Sequence, residues 1–381
     1  MTGWISGAAV TAFGRDPRHD AVGWQEEAAY AALADAGLDV AAVDGMLVGY
    51  ATTLGHLMPA DLLAQRLGVR PAVAFGVSSG GATGLTMVAT ASQLVASGAA
   101  ERVLVVAGED RRSGQSTQTS TEALAQVGHR ELEVPLGATV PAYYALLASA
   151  YLHRHGLLPE KGLAPLAVQM RAHAGAHEGA HLRTPITIDD VLQSRRVADP
   201  LRLLDCCPVS DGGAAVVVTR TPAGPRAVRL AGTGQAHLHQ HLCELDLDDT
   251  GARRSAAAAL DEAGRTLAEV DLLGVYDSFT VTLAMLLEEI GVSAPGQAGA
   301  DASAGRFDRT GPRPLNTHGG LLSYGHCGVA GGMAHLVEAV TQLRGEGGVR
   351  QVPGGPRLGL VHADGGILSA HASLVLEGAG A

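Results

Sequence analysis

The sequence predicts an α/β protein built as two similar halves, with an inserted segment in the first. Three paired stretches carry that expectation. Residues 32–50 (ALADAGLDVAAVDGMLVGY) and 259–276 (ALDEAGRTLAEVDLLGVY) match at a constant offset, pairing Gly37 with Gly264, Val43 with Val270 and Asp44 with Asp271. Residues 81–98 (GATGLTMVATASQLVASG) and 328–345 (GVAGGMAHLVEAVTQLRG) each read as a Gly-rich turn opening a helix. Residues 102–110 (RVLVVAGED) and 357–366 (RLGLVHADGG) are apolar runs of the kind buried on both faces of a helix-covered sheet.

Taken in order, each unit begins with an amphipathic helix that ends at glycine, the residue that most easily takes the left-handed cap. A short link through Val-Asp follows, then an apolar strand, the Gly-rich helix and a second strand. Alternating strands and helices imply a mostly parallel sheet, given twice. Residues from about 112 to 220 have no evident counterpart and read as an insertion, the sort of excursion that often shapes a ligand site. The expected organisation is therefore a first half over 1–220, including the insertion, and a second over 221–381. Residues 1–111 and 221–381 are expected to be equivalent about an approximate two-fold axis.

Composition narrows the function classes. With 381 residues and 46% hydrophobic content the chain can bury one large core or two ordinary ones. The formal charge of −11 is spread without a basic stripe, which argues against nucleic acid as a partner. Met1 to Val10 lacks a basic segment followed by an apolar run, and no stretch reaches the roughly 18 apolar residues that span a bilayer. A cytoplasmic location without a membrane span is expected. Four cysteines, Cys206, Cys207, Cys243 and Cys327, lack metal-ligand spacing and are expected to be reduced. Lys161 is the only lysine and lies in a Pro-Glu-Lys-Gly turn, which leaves Schiff-base chemistry without a candidate.

Three further segments, SRRVADPLRLLDCCPVSDGGAAVVV (194–218), YDSFT (276–280) and NTHGGLLSYGHCGVAGGM (316–333), complete a recognisable order of motifs. In that order the chain resembles the thiolase superfamily, specifically its sterol-carrier-protein-type members, over nearly its whole length. The resemblance implies a duplicated thiolase fold, layered αβαβα, and a coenzyme A thioester as substrate. Thiolases place a nucleophilic cysteine at the start of the first Gly-rich helix; the matching position here is Gly81. Ser78 and Ser79 lie just upstream but off the family position, and no histidine is near them in sequence, so they read as residues of a tight turn. The second family cysteine is absent as well, with VHADGG at 361–366 and His362 or Asp364 in its neighbourhood. Without either thiol an acyl-enzyme has no support, and ordinary thiolysis is not expected.

The polar groups that replace them are specific. Tyr276 stands at the position of the thiolase Asn or the His of the sterol-carrier type, Tyr324 replaces the Lys of the Ser-Lys-Gly-His loop, and His326 keeps the family histidine. Tyrosine in YDSF together with tyrosine in SYGHCG resembles the thiolase-like aldolases that shorten bacterial steroid side chains, acyl-CoA retro-aldolases acting on β-hydroxyacyl-CoA esters. The resemblance implies a homodimer assembled with a separate small protein, an OB-fold with a zinc ribbon. This chain has no ribbon cysteines, so zinc is expected only in that partner and no cofactor in the chain itself.

Retro-aldol cleavage needs a base for the β-hydroxyl, a donor for the enolate oxygen and a proton for the new Cα–H bond. A phenol titrates near 10 in water, so a tyrosine base needs a nearby dipole or cation. On that ground Tyr324, whose loop leads into the helix from Val329 to Leu343, is the expected base. Tyr276 should project from the C-terminal end of the strand before it, where open sheets place ligands. The two hydroxyls are expected to face one pocket, with His326 as the oxyanion donor and Asp277, His362 and Asp364 as supporting candidates. Gly81 is expected at the helix N-terminus, leaving room there. Acyl transfer through Ser78, Ser79 or Cys327, or acyl-CoA binding without catalysis, are the competing classes. His173, His177 and His181, and His237, His239 and His241, have metal-like spacing but no carboxylate or thiol at a recognisable interval, so they read as surface or packing residues and no metal site is assigned. Asp205, Cys206, Cys207 and Asp211 read as structural.

Overall fold

The computed structural model describes residues 3–378. Its strands are β1 (Trp4–Val10), β2 (Gly45–Gly49), β3 (Val73–Val77), β4 (Arg102–Glu109), β5 (Arg196–Ala198), β6 (Leu201–Arg202), β7 (Gly212–Thr219), β8 (Val228–His237), β9 (Leu272–Val275), β10 (Leu358–Gly365) and β11 (Ala370–Glu377). β5 and β6 form a separate pair; the other nine form one sheet in the order β3-β2-β4-β7-β1-β8-β11-β10-β9.

The duplication is written into that order. Outward from the centre, β1-β7-β4-β2 and β8-β11-β10-β9 repeat one sequence of pairings: antiparallel, antiparallel, parallel. β1 and β8 meet antiparallel through Trp4 with Arg229 and Ile5 with Val228, as a two-fold relation between the halves requires. The sheet is mixed rather than mostly parallel, because β7 and β11 return antiparallel to β4 and β10. β7 is also the counterpart of β11, so the expected insertion of about 112–220 is too long at its end: the sheet resumes at Gly212.

Each repeat folds by the same local logic. Helices Ala21–Ala36 and Ala252–Ala263 both end at a left-handed glycine, Gly37 and Gly264, each at φ 65°. A single 3₁₀ turn, Val40–Ala42 or Leu267–Glu269, then leads to the fully buried strands β2 and β9. These two helices cover the outer face of their own half, while helices Thr83–Ser97 and Val329–Leu343 lie in the middle and touch each other and strands of both halves. The resulting layers run αβαβα. The central helix Val329–Leu343 is buried on nearly every side, its polar residues His335, Glu338 and Gln342 included.

Close approach fixes the outer helices. A β-carbon on Gly7 of β1 would fall well inside 3.0 Å of the Ala32 carbonyl oxygen, and one on Gly232 of β8 would do the same to Ala259. Alanine at either position is expected to destabilise the fold by about 1–3 kcal/mol through overpacking. Gly55→Ala, on an exposed position with nothing within 4 Å of the new carbon, should change stability by less than about 0.5 kcal/mol. Urea midpoints of the three variants test this; equal midpoints would refute the packing argument.

Candidate active site

One cavity of about 380 Å³ opens where the ends of β4, β9 and β10 converge beneath the inserted segment. Tyr276 follows β9, Asp364 lies near the end of β10, and Glu109 and Arg111 lie at and just beyond the end of β4. Gly81, two residues before helix Thr83–Ser97, and His326, ahead of helix Val329–Leu343, complete the polar wall. Leu124, Val127, Val140, Tyr144 and Phe279 supply an apolar side, four of them from the inserted segment.

Gly81 does not leave empty space. A β-carbon there would fall well inside 3.0 Å of the Tyr276 hydroxyl and of the Asp364 carbonyl oxygen. The expectation of room is corrected: the tyrosine fills the volume in front of the glycine. From that place the Tyr276 hydroxyl lies 3.0 Å from Nε2 of His326, and Arg111 Nη1 lies 3.2 Å from Nδ1 of the same ring. A guanidinium can only donate, so Nδ1 accepts and the neutral imidazole carries its proton on Nε2, directed at the Tyr276 oxygen. Burial, then the Arg111 charge, holds His326 well below the usual histidine range, in keeping with that neutral form.

Tyr324 is not in this cavity. Its hydroxyl donates to the Thr11 carbonyl at 2.8 Å, and its ring packs on Phe13, His177 and His318 at 4.7, 4.8 and 5.3 Å. Gly325, at φ 129°, turns the chain between Tyr324 and His326, so the two side chains point into different compartments. Its pKa is also raised rather than lowered: burial outweighs any help from the helix end. The same holds for Tyr276, whose phenol is pushed well above 10 by burial and then by the Asp364 charge. Neither tyrosine is poised as a base.

Two supporting candidates move out of the site as well. Asp277 accepts from the backbone N–H of Leu321 at 2.7 Å and lies 3.3 Å from His335, tying down the turn Gly320–Ser323. His362 faces Ser373 at 2.7 Å and His371 at 3.2 Å, behind the cavity wall. Asp364 stays, accepting from the Tyr144 hydroxyl at 3.2 Å. Sequence reasoning missed Arg111, Tyr144 and Glu109. Arg111 had a usable signal, since it follows an apolar strand as Tyr276 does; Tyr144 had none, because it lies in the helix Val140–His155 of the insertion.

The nucleophile alternatives fare poorly. Cys207 lines the cavity, but burial pushes its thiol up to about 12, so it stays protonated. Cys327 is buried, and burial raises its thiol too. Ser79 belongs to the turn that opens the helix, where its backbone N–H donates to Thr83 Oγ1 at 2.8 Å. Asp205 accepts from Thr280 Oγ1 at 2.9 Å, and Asp211 accepts from the N–H groups of Arg112 and Ser113 at 2.6 and 2.9 Å. Among the described residues no group of His, Cys, Asp and Glu is arranged to hold a metal; His181 contacts Ser210 at 2.8 Å and His239 the Ile367 carbonyl at 3.1 Å.

The competition for space gives a test that does not depend on activity. Gly81→Ala should cost about 1–3 kcal/mol in urea denaturation, and combination with Tyr276→Ala should recover at least about 0.5 kcal/mol of it. Costs that add within about 0.3 kcal/mol would mean that the two positions do not share a volume.

Comparison with known proteins agrees with the fold. The thiolase N-terminal domain model matches residues 4–222 and the thiolase C-terminal domain-like model matches residues 234–378. An acetyl-CoA acetyltransferase of Methanothermobacter thermautotrophicus is 32% identical over 353 residues, covering 89% of this chain and 90% of the relative. A steroid side-chain-cleaving aldolase of Thermomonospora curvata is 31% identical over 369 residues, covering 90% of each. The solved structure of an Ltp2–ChsH2(DUF35) aldolase has a TM-score of 0.84 at 29% identity and covers 100% of this chain and 98% of its own. Among the described residues no helix is long and apolar enough to cross a membrane. With both halves matched and the αβαβα layers in place, the chain belongs to the thiolase superfamily.

Proposed function

We propose that this protein is an acyl-CoA aldolase, a carbon–carbon lyase that cleaves a β-hydroxyacyl-CoA into a ketone or aldehyde and a shorter acyl-CoA. A steroid side-chain CoA ester is one candidate substrate. The observation that carries the reading is the replacement of a thiol by a phenol: Tyr276 fills the space before Gly81 and is hydrogen-bonded to His326. That arrangement has no nucleophile to acylate but does have a proton donor and an N–H donor side by side.

Each has a place in retro-aldol chemistry. When the Cα–Cβ bond breaks, its electrons pass into the thioester as an enolate, which must be stabilised at oxygen and protonated at carbon. His326 Nε2–H serves the oxygen, a role in which one fixed donor contributes on the order of 3 kcal/mol. Tyr276, kept protonated by burial, delivers the proton to Cα, and His326 then donates to the phenolate oxygen left behind. Arg111, bound to Nδ1, holds the ring in the tautomer that both tasks need.

The assembly is proposed on two supports. β3 pairs only with β2 and leaves its outer edge unpaired at the end of the sheet, with Phe75 40% exposed, which suits a homodimer formed through that edge. The matched aldolase structure is a complex with ChsH2(DUF35), which supports a small OB-fold and zinc-ribbon partner here, with zinc confined to it and the chain itself free of cofactor. A cytoplasmic setting suits four cysteines with no disulfide among them.

The test is an assay of the chain co-expressed with such a partner against a panel of β-hydroxyacyl-CoA esters. Tyr276→Phe should lower turnover by about 10² to 10⁴, as expected for loss of a positioned proton donor. Tyr324→Phe should leave turnover near the native rate and cost only about 1 kcal/mol of stability for the lost Thr11 hydrogen bond. Native turnover by Tyr276→Phe would refute the assignment. The competing reading, acyl transfer as in the acetyltransferase relative, would instead leave a covalent acyl adduct visible by mass spectrometry, with Cys207 the first residue to inspect. Substrate binding without turnover, even with the partner present, would mark a scaffold.

A further inference from the structure

With Tyr324 outside the cavity and Tyr276 held as an acid, the β-hydroxyl still needs a base. We infer that Asp364 is that general base and that Tyr144, from the inserted segment, positions it. This rests on the retro-aldol reading above.

The geometry comes first. β9 and β10 are parallel neighbours, so Tyr276 and Asp364 emerge at the same end of the sheet, and both bound the space before Gly81. Asp364 is among the residues that line the cavity and is 1% exposed. Its Oδ2 accepts from Tyr144 at 3.2 Å, while its Oδ1 has no hydrogen-bond partner. A buried acceptor left unpaired is costly, so an unpaired Oδ1 on a residue of the cavity wall points to a donor that arrives with the ligand. A β-hydroxyl is such a donor. Tyr144 is fixed by stacking on Phe279, with centroids 4.5 Å apart and planes at 24°, which leaves Oδ2 occupied and Oδ1 free to act.

Glu109 also leaves one oxygen, Oε2, unpaired in this cavity. Its other oxygen is tied to the backbone N–H groups of Thr52 and Thr53, and Oε2 faces Gly328. Asp364 adjoins the acid that must act on the neighbouring carbon. Burial raises its pKa to about 7, partly offset by the Tyr144 hydroxyl, which suits a base at neutral pH.

The step balances without an added reagent. The Asp364 carboxylate takes the β-hydroxyl proton; the oxygen's electrons form the new C=O bond as Cα–Cβ breaks; the bond's electrons pass to the thioester enolate. Tyr276 then protonates Cα. The phenolate and the protonated Asp364 exchange that proton once the ketone or aldehyde leaves, which restores the starting state.

The experiment uses the co-expressed complex and a β-hydroxyacyl-CoA that the native protein cleaves. Asp364→Asn should lower kcat by about 10² to 10⁴ with KM within about threefold. Deuterium exchange at Cα of the product acyl-CoA in D₂O needs the Tyr276 phenolate, which forms as Asp364 takes the phenol's proton, so Asp364→Asn and Tyr276→Phe should both lose exchange while still binding the product acyl-CoA. Asp364→Ser reads the same way should the Asn variant not fold. The titratable groups facing Asp364 are Tyr144, Tyr276 and, in register on β11, His371. Because the Tyr144 hydrogen bond lowers the Asp364 pKa, Tyr144→Phe should move the acid limb of the kcat profile to higher pH. Cleavage at the native rate by both Asp364 variants would overturn the inference, as would native exchange by Asp364→Asn, or loss of product acyl-CoA binding together with cleavage, which would place Asp364 in the fold. If the native protein cleaves no member of the panel, the retro-aldol reading fails first, and the base assignment falls with it.

Discussion

Two groups compete for the volume in front of residue 81, and only one can have it. A side chain there would collide with the Tyr276 hydroxyl and with the Asp364 carbonyl, so the tyrosine depends on the glycine. Once the phenol occupies that depth, water is excluded from it. Its hydrogen-bonding needs must then be met by the protein, and His326 meets them, with Arg111 behind. The glycine and the phenol are thus a matched pair in packing: the tyrosine reaches this depth only because residue 81 has no side chain.

The duplication explains why these groups can meet. Each half places a parallel strand pair, β2 with β4 and β9 with β10, beside a central helix that touches both halves. The strand ends and helix starts therefore gather at one level, from which Glu109, Tyr276, Asp364, Gly81 and His326 converge although they are far apart in sequence. Glycine makes the convergence tight: Gly84 and Gly332, one on each central helix, admit Met333 and the Gly81 carbonyl at distances that a larger residue would not. The inserted segment closes the cavity from above and brings Tyr144 and most of the apolar wall.

What the sequence could express was whatever repeats or lies along one element. The paired Gly-capped helices and buried strands were readable because Gly37 and Gly264 occupy the same left-handed cap and β2 and β9 the same buried slot. Tyr276 was readable because it ends a strand. Tyr324 misled because proximity to His326 in sequence says nothing about direction once Gly325 takes a positive φ between them. The antiparallel return of β7 was hidden because a strand buried on both faces reads the same in either direction. Tyr144 could not have been found, since its partner Asp364 lies 220 residues away and only tertiary packing joins them.

Burial then sorts the cavity's titratable groups by their charge when ionised. Desolvation opposes whichever form is charged, so it keeps His326 neutral and Tyr276 protonated. Applied to a carboxyl, the same penalty raises a pKa from the usual acidic range toward neutrality, as it does for Asp364. One physical cause therefore produces an N–H donor, a phenolic acid and a carboxylate able to take up a proton near pH 7, from residues that would behave quite differently in water. On the proposed retro-aldol reading, the division of labour follows from the dryness of the site rather than from a strong field imposed by any one charge, and the arginine's part is to orient the imidazole toward Tyr276.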